Sequence, residues 1–84
     1  MRADERVVAF LLDLSSRYRQ RGYSSTEFSL RMTRDEIGSY LGLTLETVSR
    51  VLSFLQEKGV VKVDKKAIKL VDPAALRAIM NERD

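Results

Sequence analysis

The chain has 84 residues and neither cysteine nor histidine, which leaves room for one small domain and removes disulfides, thiol and imidazole catalysis and the usual zinc ligand sets. No apolar run approaches the ~20 residues that cross a bilayer, and the opening MRADERVVAFLLDL mixes acids into its apolar stretch, unlike a signal peptide; with no disulfide to form, the expected location is the reducing cytoplasm. The net charge of +3 is too mild to name a partner, but the basic residues gather between Ser15 and Val71 while the two ends are net negative, a distribution suited to a polyanion.

Ala3 to about Arg21 sets Val7, Val8, Phe10, Leu11, Leu14 and Tyr18 at helical spacing, and Gly22 stands where a helix commonly ends. Tyr23 to Glu27 is a polar loop. Phe28, Leu30 and Met32 alternate with Ser29 and Arg31, which predicts a short half-buried strand. Thr33 with Glu36 spells a capping box, and Met32 with Ile37 can form the accompanying hydrophobic staple, so a second helix starts here. Gly42 interrupts the pattern after Leu41. Thr44 can cap a third helix, Leu45 to about Lys58, which Gly59 closes. Val60, Val61 and Val63, a charged Asp64–Lys65–Lys66 tip, and Ala67, Ile68, Leu70 and Val71 make a β-hairpin whose tip lacks the Asn-Gly type of turn. Asp72 and Pro73 then serve as cap and first turn of a last helix running to about Glu82.

There is no repeat, low-complexity tract or linker, so residues 1–84 read as one domain. It is mainly α with a small β-hairpin or sheet (α+β), in the order of a winged helix-turn-helix: the helix-turn-helix over about 33–58 and the wing over about 60–71. On the third helix Val48, Val51, Leu52 and Leu55 follow i, i+3, i+4, i+7, the spacing of a buried face. Glu46, Ser49, Arg50 and Ser53 repeat it half a turn away. Held from behind, such a helix can offer Arg to guanine O6 and N7, Glu to cytosine N4, and Ser to several bases in a DNA major groove.

Each of these residues also has an ordinary explanation. An isolated helical Arg is usually solvated, Glu46 in a first turn complements the helix dipole, and Thr33 and Thr44 are caps before they are anything else. Helix N-termini nevertheless bind phosphates, and Lys65 and Lys66 sit where a wing meets the DNA backbone. The main competing function is a winged-helix protein-interaction module without specific DNA binding. That reading calls for an apolar or acidic outer stripe on the third helix, which the Glu/Ser/Arg stripe does not supply. An enzyme is excluded by the missing His, Cys and phosphate-binding glycine loop.

The runs LLDLSSRYRQRG and EFSLRMTRDEIGSYLGLTLETVSRVL resemble the DNA-binding domain of the CRP/FNR family of bacterial transcription regulators, over about Val7 to Leu70, and its FNR branch more than its CRP branch. The Glu-x-x-Ser-Arg signature of that branch is matched by Glu46, Ser49 and Arg50, with Ser49 where CRP-like proteins usually have Gly. The resemblance implies a TTGAT half-site arranged as an inverted repeat, with Glu46, Ser49 and Arg50 as base readers; the helix starts and the wing tip add Thr33, Thr44, Thr47, Lys65 and Lys66 as expected contacts to the DNA backbone. It further implies RNA polymerase as a partner of a homodimeric parent protein. The jelly-roll sensor domain, the dimerisation helix and the cysteines of the FNR iron-sulfur cluster have no counterpart in these residues, so no cofactor is expected in this chain and the isolated domain is expected to be monomeric. Met1 directly before the first helix fits an excised domain or a stand-alone gene product.

Overall fold

The computed structural model describes residues 1–81. Its elements are α1 (Ala3–Gln20), β1 (Glu27–Ser29), α2 (Arg34–Leu41), α3 (Leu45–Glu57), β2 (Val61–Asp64), β3 (Ala67–Leu70) and α4 (Pro73–Asn81). The predicted end of the last helix at Glu82 lies outside the described residues.

The helical stripes close on one another because each leaves one face for burial. α1 contributes Val7, Val8, Phe10 and Leu11, α3 contributes Val48, Val51, Leu52 and Leu55, and α4 closes the core with Leu76 and Ile79. α1 packs on both α3 and α4, and α2 packs on α3. No polar or charged side chain is buried among the described residues, so burial of apolar surface, at roughly 25 cal/mol per Å², is not offset by desolvation of buried polar side chains.

The strands form one antiparallel sheet in the order β1-β3-β2. Phe28 pairs with Ile68 on one side of the central strand and Val63 with Ile68 on the other. The first strand is shorter than the alternation predicted, and it includes Glu27. Leu30 remains buried and its N–H still donates to the Lys66 carbonyl at 2.7 Å. Arg31 and Met32 leave the ladder because the chain must turn into the capping box at Thr33. Asp72 caps α4 as expected, its Oδ1 accepting from the Ala75 N–H at 3.1 Å.

Candidate nucleic-acid interface

Two glycines set the angle between α2 and α3. Gly42 ends α2 at φ +73°, the left-handed region in which glycine carries no Cβ penalty. Gly38 lies where the helices approach most closely: a Cβ placed there would stand 2.6 Å from the Leu43 carbonyl oxygen. That same Gly38 carbonyl accepts the Leu43 N–H at 2.7 Å. Arg6 reaches over from α1 to the last turn of α2, its Nη1 donating to the Leu41 carbonyl at 3.1 Å, which satisfies an orphan acceptor of that helix end.

Both helix starts are capped as the sequence predicts. Thr33 Oγ1 accepts the Glu36 N–H at 3.1 Å while Glu36 Oε1 accepts the Thr33 N–H at 2.8 Å. Those bonds, chiefly the one from the Thr33 backbone, hold the Glu36 carboxyl below its ordinary pKa of 4.5, and the nearby charge of Lys66 acts in the same direction. Thr44 Oγ1 accepts the Thr47 N–H at 3.1 Å and donates to Thr47 Oγ1 at 2.9 Å.

With α3 so anchored, its buried stripe turns the opposite stripe outward. Glu46, Arg50 and Ser53 are exposed, and Ser49 is half-buried beside them. The ion pairs among the described residues join Arg2 to Asp4 and Glu5, and Arg17 to Asp13. Among the described residues Glu46, Arg50, Lys65 and Lys66 form no salt bridge.

The predicted backbone residues fall into two groups. Thr44 and Thr47 stand at the N-terminus of α3 next to Arg50. Thr33, Lys65 and Lys66 converge from α2 and the wing on a cleft of about 390 Å³ that Leu45, the first residue of α3, also lines. Lys65 has φ +57°, the sign that primed hairpin turns require at the first loop position; the tip is built without glycine or asparagine and accepts the strain of a left-handed lysine. The wing is tied to α3 by Gln56, whose Oε1 accepts the Val63 N–H at 2.8 Å.

Two residues of this surface were not singled out by sequence reasoning. Arg34 lines the 390 Å³ cleft and also a smaller one shared with Ser53, Gln56 and Lys65, which joins the α2 start to the middle of α3. A cation at the first position of a helix opposes the dipole, and that breach of a local rule is the signal that could have marked it. Leu45 is 44% exposed although it continues the spacing of the buried stripe. Beside Glu46, it leaves an apolar surface at the exposed start of α3. Tyr23, in the polar loop, is exposed and packs edge-on against Tyr18, while Phe28 is buried and stacks on the Tyr18 ring at 5.1 Å.

The model of the Crp-like helix-turn-helix domain matches residues 5–79. The chain belongs to that family. It is the DNA-binding helix-turn-helix domain of CRP/FNR transcription regulators, and not an enzyme. The chain is 50% identical over 82 residues to the transcriptional regulatory protein btr of Bordetella pertussis, covering 98% of this chain and 34% of that protein. It is 49% identical over 77 residues to the fumarate and nitrate reduction regulatory protein of Salmonella typhimurium, covering 92% of this chain and 31% of the relative. Among solved structures, FixK2 from Bradyrhizobium japonicum superposes with a TM-score of 0.85 at 37% identity, covering 99% of this chain and 40% of that one. The chain thus spans about a third of the length of the regulators it matches. No helix among the described residues is long and apolar enough to cross a membrane.

Proposed function

We propose that this domain binds double-stranded DNA sequence-specifically and reads an FNR-type TTGAT half-site with α3. The observation that carries the reading is the outward stripe of exposed Glu46 and Arg50 with half-buried Ser49 between them, without a salt bridge among the described residues and backed by a buried apolar stripe. Arg50 serves as the bidentate guanine reader, Glu46 accepts from a cytosine amine, and Ser49 completes the pattern. Thr33, Thr44, Thr47, Lys65 and Lys66 hold phosphates, joined by Arg34, and these contacts set the register in which the bases are read. In its parent protein the domain acts in the cytoplasm as one half of a homodimer on an inverted repeat, and its output depends on RNA polymerase at the adjoining promoter.

The test is titration of a TTGAT-bearing and a scrambled duplex at two salt concentrations. A bidentate Arg–guanine pair gives about 1–3 kcal/mol of discrimination, so Arg50→Ala should weaken binding to the first duplex by roughly 5- to 150-fold and leave the second changed only by one charge. Equal losses on both duplexes would reassign Arg50 to the backbone, and equal affinity of the unmodified chain for both would remove the half-site itself.

A further inference from the structure

Glu46 and Arg50 are four residues apart on one exposed helix face, with the acid on the N-terminal side, the better orientation for a helical ion pair. They do not pair: no salt bridge among the described residues includes either. The Arg50 guanidinium reaches back one turn instead, with Nη2 donating to Thr47 Oγ1 at 3.4 Å. The same oxygen accepts the Thr44 hydroxyl at 2.9 Å, and Thr44 Oγ1 in turn accepts the Thr47 N–H at 3.1 Å. A threonine hydroxyl has two lone pairs and one hydrogen. With both lone pairs of Thr47 given to Thr44 and Arg50, its hydrogen is left for solvent or a phosphate.

We infer that Thr44 and Thr47 form a hydroxyl relay that positions Arg50 for base reading and holds it apart from Glu46, so that both readers arrive at the DNA unpaired. The inference rests on the base-reading assignment proposed above. A neutral oxygen suits the task better than a carboxylate. It orients the guanidinium but competes weakly with guanine, whereas an Arg–Glu pair would have to be broken before either partner could bond a base. Holding a long side chain in advance removes part of the ordering cost of binding. Thr47 is therefore a positioning residue in addition to any phosphate contact it makes.

The relay is tested by a double-mutant cycle on the 84-residue chain. Affinity is measured for a TTGAT duplex and for the same duplex carrying 7-deazaguanine, which lacks the N7 acceptor, and the ratio of the two is the discrimination. Thr47→Val keeps the branched shape and the capped N–H but removes the hydroxyl, and should lower the discrimination about 2- to 10-fold. Thr47→Ser should restore it. In an Arg50→Ala background Thr47→Val should lower it no further. In the free protein the order parameter of the Arg50 Nε–Hε group should fall on Thr47→Val, a signature that a simple phosphate contact would not produce. If Thr47→Val costs the same factor with and without Arg50, the relay is refuted and Thr47 is a backbone contact alone. If Arg50→Ala itself leaves the discrimination unchanged, the base-reading assignment is what fails, and the relay loses its object with it.

Discussion

Gly38→Ala is the smallest change that strikes the geometry on which the interface depends. In an open helix the substitution would stabilise by about 1 kcal/mol, because alanine loses less backbone entropy than glycine. Here the new methyl would sit 2.6 Å from the Leu43 oxygen and 3.3 Å from the carbonyl carbons of Leu43 and Thr44. All three are main-chain atoms that cannot swing aside as a side-chain tip would. Overpacking of this kind costs about 1–3 kcal/mol, and backbone neighbours place it in the upper part of that range, so we predict a net loss of about 1–2 kcal/mol. For a domain of this size each kcal/mol moves the melting temperature by roughly 4–8 °C, giving a fall on the order of 5–15 °C in a thermal melt followed by circular dichroism. Ser39→Ala, an exposed neighbour on the same helix, is the control and should be neutral or slightly stabilising. Because Thr44 caps α3, relief of the clash displaces the start of the reading helix, so DNA affinity at a temperature where the variant is still folded should fall as well. A Gly38→Ala domain that melts at or above the unmodified temperature would refute the close-approach argument.

Three further predictions follow from the geometry. Lys65→Asn replaces a strained left-handed lysine with a residue that tolerates that conformation; urea melts should show stability gained by about 0.5–1 kcal/mol, while the slope of log affinity against log salt should shrink by about 0.9 if one phosphate contact is lost. The Glu36 pKa is lowered in the folded state, so its contribution to stability is fully present above the unfolded pKa and is lost as pH falls through the lower folded value; Glu36→Gln should flatten that acid limb in urea melts run from neutral pH down to about pH 3, and an unchanged limb would mean that the capping box is not formed in solution. The apolar face of α1 is spent on the domain's own core, with Val7, Val8 and Leu11 fully buried, which leaves it no seam for a second copy; sedimentation equilibrium should find a monomer, and a two-half-site duplex should be filled without cooperativity.

What the sequence disclosed was mostly local. Thr33 with Glu36, Thr44 before Leu45, Asp72 before Pro73, and the glycines after each of the first three helices act within a few residues, and the structure has each of them in its expected role. The sheet was less legible. Its third strand, β1, pairs with β3 across some forty residues of intervening chain, and nothing in Glu27–Ser29 names that partner. The hairpin tip was opaque for a different reason, since a lysine supplies the positive φ that glycine or asparagine would have advertised. In the interface, the outward stripe of α3 followed from periodicity alone, whereas the meeting of Arg34, Leu45 and the wing exists only once α2, α3 and the sheet are assembled. The hydroxyl path from Thr44 through Thr47 to Arg50 runs at i, i+3 spacing and was present in the sequence, but three polar residues on an exposed turn have many possible partners and only coordinates select among them.

The hydrogen bond from the Val63 N–H to Gln56 couples the wing to the last turn of α3. A domain whose two grips are coupled works as a gauge: a duplex whose groove width and bend match is gripped with less distortion than one that must be deformed to fit. The energy of that deformation depends on the stiffness of base steps that no side chain touches. Discrimination should therefore extend into the flanking sequence under the wing, and loosening the gauge by Gln56→Ala should make the domain more tolerant of flanks while leaving its reading of the half-site largely intact.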